Sequence, residues 1–185
     1  MATMPTSATS TSSERRRRDG GFTLIEIGLV LLIIATVVAL VVPRFRDQSR
    51  AELQAQTRKL AATFRFLQEE AILNGRVYRL NFDLDQQRYF VTEADADLAF
   101  APTSGILARD VTLPSTVQIA DVDTPQSAGK LYEGIALAHF FPDGYVEETA
   151  VHLQNGEEFY TLYVKNGLTG RAHVAAGYLD LAPAS

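Results

Sequence analysis

The sequence predicts an α+β chain in which a long N-terminal helix packs on an antiparallel β-sheet. Three observations carry that reading. Residues 22–42 form an apolar run with one charge, Glu26. Residues 44–73 carry apolar side chains at helical spacing. From Gly75 onward the chain breaks into short β-rich stretches punctuated by Gly, Pro, Asn and Asp. The 185 residues suffice for one folded domain, and the absence of Cys excludes a disulfide framework, a thiolate metal site and a Cys nucleophile.

Residues 1–19 are Ser/Thr-rich, lack any apolar run, end in the cluster Arg15-Arg16-Arg17-Arg18, and read as disordered. The net charge of +2 on residues 1–21 leaves −7 on residues 22–185 within a total of −5. At 1.5 Å per residue, Phe22–Val42 spans about 31 Å, the thickness of a bilayer's hydrocarbon core. Fifteen of its 21 residues are Leu, Ile, Val or Phe. They favour insertion by about 4 to 9 kcal/mol, against about 3 for a central carboxylate and less for one near a helix end, as Glu26 is. Insertion wins, and a transmembrane helix is expected. A cleaved secretory signal fits poorly, because the run is too long and exits into Val42-Pro43-Arg44 without a small-x-small site. Arginines flank the segment on both sides, so charge bias favours an inside N-terminus only weakly.

Pro43 has no N–H and disfavours helix before it, which predicts a kink or short break. An amphipathic stalk helix follows to residue 74. Leu53, Leu60, Phe64, Leu67 and Ala71 form its apolar stripe, with Arg58, Lys59, Gln68, Glu69 and Glu70 on other faces and Asn74-Gly75 as the stop. Residues 75–185 are expected to form the β-rich domain, with strands at 77–82, 88–92, 116–120, 135–141, 145–153, 158–165 and 171–178. Asp143-Gly144 and Asn155-Gly156 read as two-residue hairpin turns. The first would set His139 opposite Glu148. The second would place Val151, Leu153, Tyr160 and Leu162 on one inward face. Residues 94–115 and 121–134 read as loops, and 166–170 as a turn.

The residues offer no catalytic constellation. His139, His152 and His173 lack metal-ligand spacing and read as structural or surface groups. Asp83/Asp85, Asp95/Asp97 and Asp121/Asp123 are D-x-D pairs without the rest of a calcium loop, and read as solvated acids. Tyr78, Tyr89 and Phe90 read as strand residues rather than a base-stacking platform, having no basic groove around them. No nucleotide-binding or nucleophile-elbow motif is present. A non-enzyme without cofactor or metal is expected.

Gly20-Gly21-Phe22-Thr23-Leu24-Ile25-Glu26 resembles the cleavage motif of type IV prepilins and pseudopilins. The resemblance implies that a prepilin peptidase cuts between Gly21 and Phe22 and N-methylates Phe22. It also implies that Glu26 meets a neighbouring subunit's N-terminal amine. A carboxylate in an apolar helix needs such a partner unless it merely snorkels to the headgroups. The 21-residue leader is long for the family, and Met4 offers a later start.

Residues 67–75 followed by 77–83, then Phe140-Phe141-Pro142-Asp143-Gly144-Tyr145 and Leu168-Thr169-Gly170-Arg171, resemble the GspH/FimT group more loosely. Within it, the acidic body without Cys or Trp is most similar to the H-type minor pseudopilins of type II secretion. That likeness implies a pilin-like fold and a single-pass anchor in the inner membrane of a Gram-negative bacterium, with the C-terminal domain in the periplasm. It implies a structural role at or near the tip of a pseudopilus that helps drive protein export across the outer membrane. The implied partners are the other minor pseudopilins, the major pseudopilin, the prepilin peptidase and inner-membrane lipids, with no nucleic acid. The alternative is a FimT-like minor type IV pilin serving pilus assembly or DNA uptake. That reading needs a basic exposed strip, which residues 75–185 do not display as a sequence.

Overall fold

Helix α1 (Leu24–Asn74) is 51 residues long and continuous through Pro43, so the short break considered there is absent. The computed structural model describes residues 23–94, 99–108, 110–127, 129–165 and 170–180. The chain divides into two compact units, residues 1–42 and 43–185.

Within the second unit the expected stripe of α1 is the face that meets the core: Leu53, Leu60, Phe64, Leu67 and Ala71 are all buried. Thr57 fills the seven-residue gap between Leu53 and Leu60. Its hydroxyl donates to the Leu53 carbonyl at 2.8 Å, so it enters the core without an unmet hydrogen bond. Phe64 is the main contact, with its ring edge-on to Phe140 at 5.2 Å and 6.3 Å from Phe82.

The strands are β1 (Tyr78–Asp83), β2 (Arg88–Ala94), β3 (Phe100–Pro102), β4 (Val111–Thr112), β5 (Gln118–Asp123), β6 (Ile135–Phe140), β7 (Thr149–Asn155), β8 (Glu158–Val164) and β9 (His173–Ala176). All pairings are antiparallel, but they make two sheets where one was expected. The first runs β3-β2-β1-β6, with β4 also on β2, and the second runs β5-β7-β8-β9. The expected loop at 94–115 supplies β3 and β4. That at 121–134 gives the end of β5 and a bridge from Leu131 to Val122.

The split arises at Asp143-Gly144, which is not a two-residue hairpin. Pro142 presets the first corner of a turn, and the Gly144 amide donates to the Phe141 carbonyl at 3.0 Å. Phe141 then meets Tyr145, leaving a three-residue loop. The pairing stops after a lone Phe140–Val146 bridge, and β7 begins in the other sheet. His139 therefore meets Glu147, not Glu148. Its ring Nδ1 lies 2.9 Å from the carboxylate, and its backbone amide donates to that carboxylate at 3.0 Å. Burial pushes the Glu147 carboxyl upward, but the bonds from His139 and Gln126 outweigh it and hold it below the ordinary value.

At the β7–β8 hairpin the turn residues are Gly156 and Glu157, since Asn155 pairs with Glu158. Gly156 has a φ of +60° and Glu157 does not share it, the type II′ pattern. The register differs from the expected one by two residues, a full side-chain period. Val151, Leu153, Tyr160 and Leu162 consequently still face inward together.

A chain beginning at Arg46 retains every core residue named above. It is expected to fold without detergent and to melt in one cooperative thermal transition by circular dichroism. Aggregation relieved only by micelles would contradict a self-sufficient second unit.

Candidate functional site

The single charge of the apolar run sits in the first turn of α1. Thr23 precedes the helix, and its carbonyl accepts from the Glu26 and Ile27 amides at 3.1 and 3.2 Å. Its hydroxyl also accepts from the Glu26 amide, at 3.3 Å. Thr23-x-x-Glu26 thus has the spacing of a capping box, and the carboxylate stands at the positive end of the helix dipole. Residues 24–40 are exposed on every face, Leu24 by 92% and Leu40 by 68%. A helix apolar all round needs an apolar environment. Thr36 adapts to one by returning its hydroxyl to the Leu32 carbonyl at 2.8 Å. Gly21 and Phe22, the expected cleavage junction, lie outside the described residues. Among the described residues no helix is long and apolar enough to cross a membrane. The run Phe22–Val42 extends beyond their described side chains at both ends.

The other groups singled out in the sequence serve the fold. Tyr78 and Tyr89 are buried core residues. Asp83 is buried and pairs with Arg88 at 3.2 Å, and Asp85 accepts from the Gly134 amide at 3.1 Å. The pair Asp95/Asp97 lies outside the described residues. Among those described, no three His, Asp or Glu side chains are grouped to hold a metal ion.

Asp121 corrects the expectation of solvated loop acids most sharply. A β-bulge between Ile119 and Asp121 turns Ile119 and Val122 both inward and leaves Asp121 beside His152 on the outer face of the second sheet. Both are nonetheless buried, because the segment after β9 crosses back over them. Tyr178 stacks on the His152 ring at 3.9 Å and donates its hydroxyl to Asp121 at 3.0 Å. His152 Nδ1 lies 2.7 Å from the Asp121 carboxylate, and Nε2 lies 2.9 Å from the Leu179 carbonyl. Both ring nitrogens thus face an oxygen atom. Thr161 adds two bonds, donating to the Gly177 carbonyl and accepting from the Leu179 amide. Lys130 closes the end, pairing with Asp180 at 3.0 Å over the Tyr178 ring. The Tyr178 hydroxyl and Asp180 hold its ammonium above the ordinary value. This polar cluster fastens the C-terminal segment to the sheet.

The chain's architecture matches known proteins. No protein-family model matches it. The structure of the minor pseudopilin EpsH from the type 2 secretion system of Vibrio cholerae superposes with a TM-score of 0.54 at 18% identity, covering 68% of this chain and 97% of that one. The fold is therefore the pilin-like one. In sequence, the chain is 34% identical over 110 residues to type II secretion system protein H of Aeromonas hydrophila, covering 57% of this chain and 58% of that protein. Over that stretch the chain is similar to type II secretion system protein H. The protein of that name from Pseudomonas aeruginosa is 38% identical over 71 residues, 37% of this chain and 41% of that one. The chain thus matches between about two fifths and three fifths of its curated relatives' length.

Proposed function

We propose that the chain is a minor pseudopilin of a type II secretion system, a structural subunit rather than an enzyme, at or near the tip of a periplasmic filament. One observation carries the reading: a pilin-like chain whose helix exposes an apolar surface over residues 24–40, broken by one carboxylate near its start. Such a surface suits two environments in turn, a bilayer before assembly and a bundle of like helices after it. The helix first anchors the subunit in the inner membrane, with residues 75–185 in the periplasm. It is then withdrawn and buried among the helices of the other minor and major pseudopilins. There Glu26 accepts the N-terminal amine of an adjacent subunit. Pro43 leaves the Ala39 carbonyl without its helical donor and supplies the point at which the helix bends.

On this reading the prepilin peptidase removes residues 1–21. Intact-mass measurement of membrane-extracted protein is expected to give a chain starting at N-methylated Phe22. Gly21→Ala is expected to slow that cleavage while leaving membrane insertion unchanged, because the apolar run is untouched. A mature chain starting at Met1 or Met4, or after Val42, would exclude the assignment.

A further inference from the structure

The second unit bears an open groove of about 630 Å³ between α1 and the segment leading into β9. Arg58, Arg65 and Arg171 line it, with Ala61, Ala62 and Ala172 as its small apolar walls. Three guanidiniums in one groove stand out on a body whose residues 22–185 carry a net −7. Among the described residues, Arg58 and Arg171 have no carboxylate partner. Arg65 has only a long, exposed contact with Glu69, at 3.9 Å. Arg171 follows Gly170 in the chain. Gly170 is buried against the helix, where a side chain would run into the Gln68 amide and the Gly144 carbonyl, themselves joined at 2.8 Å.

We infer that this groove is a docking site for a short acidic segment of another protein. A guanidinium fork binds a carboxylate through two parallel hydrogen bonds, and three unsatisfied or weakly satisfied forks offer that chemistry together. Arg58 and Arg65 lie two helical turns apart, about 10 Å along the axis, which sets the spacing of the two carboxylates they receive. Charge complementarity favours a short segment over a long polyanion. A protein that contacts about 6–10 phosphates needs a matching set of cations, whereas this groove offers three arginines and one opposing carboxylate, Glu69, on a chain whose residues 22–185 carry a net −7. The site goes beyond the filament reading and stands whether or not the N-terminal helix enters a filament.

The test uses the full chain in uncharged detergent micelles and three labelled probes of equal dye: hexaglutamate, hexaglutamine and a 12-nucleotide oligothymidylate. Fluorescence anisotropy is expected to show hexaglutamate binding, weakening with salt, and no hexaglutamine binding. Arg58→Glu combined with Arg171→Glu is expected to weaken hexaglutamate at least fivefold. Lys59→Glu combined with Lys165→Glu makes the same charge change at exposed sites outside the groove, and is expected to alter it less than twofold. Equal losses in the two double variants would reduce the effect to net charge and overturn the site. Tighter binding of oligothymidylate than of hexaglutamate would assign the groove to nucleic acid and overturn the proposal. Absence of hexaglutamate binding at low salt would overturn it outright.

Discussion

Asp121→Ala is expected to destabilise the second unit by about 3–5 kcal/mol, the usual effect of removing one partner from a buried ion pair. Asp121 and His152 are both buried, at 2% and 0% exposure, so neither side chain has water to fall back on. Removing the carboxylate leaves His152 Nδ1 and the Tyr178 hydroxyl without their acceptors at once. At about 2–4 °C per kcal/mol for a domain of this size, the melting midpoint is expected to drop by about 6–20 °C. Thermal unfolding followed by circular dichroism on the full chain in micelles reads this directly. Tyr178→Phe keeps the ring stacked on His152 and removes only the hydroxyl, so its loss is expected to be about 1 kcal/mol. A midpoint shift under 2 °C for Asp121→Ala would mean that water or another acceptor replaces the carboxylate, and would dissolve the fastening role of the C-terminal segment.

That cluster also shows where sequence patterns run out. The stripe from Leu53 to Ala71 was readable because the 3.6-residue period of a helix needs only local information, and each of its members is buried. The same period logic gave the inward set Val151, Leu153, Tyr160 and Leu162 despite a misplaced turn, because a shift of two residues leaves strand faces unchanged. Alternation could not say which strands share a sheet, so the separation of β6 from β7 had to come from the Pro142 corner. Strands as short as β3 and β4, three and two residues, carry too few alternations to register. His152 lacks metal-ligand spacing to another histidine and so read as structural or surface. Its burial depends on Tyr178 and Leu179, 26 and 27 residues later, returning across the sheet. The arginine groove was hidden in the same way, since Arg58 and Arg171 come together only through the fold. Glu26 is the opposite case. One charge in an apolar run is conspicuous in the sequence, while a partner on another subunit is invisible in a single chain.

Glu26→Gln is expected to leave insertion and cleavage normal and to impair assembly. The substitution keeps the helix start, because the Thr23 hydroxyl and carbonyl bond to the residue-26 backbone amide and not to its side chain. It also removes a charge from an apolar helix, which eases entry into lipid. If the carboxylate only snorkels, assembly is unaffected. If it receives a neighbour's N-terminal amine in a water-poor bundle, the amine is stranded, and each such contact loses about 3–5 kcal/mol, roughly a hundredfold or more in association. The two accounts agree on insertion and differ on assembly, so the measurement must read assembly. Cross-linking of the variant to the other pseudopilins, with secretion measured in a strain lacking the wild-type copy, does so. Loss of cross-links and of secretion, with normal membrane content and normal mature mass, is the expected result. Retention of both at wild-type levels would leave the snorkelling account alone standing. Glu26→Asp adds the finer control. Its shorter side chain keeps the charge but draws it back by one methylene, so partial assembly is expected from pairing, whereas snorkelling predicts no difference from wild type.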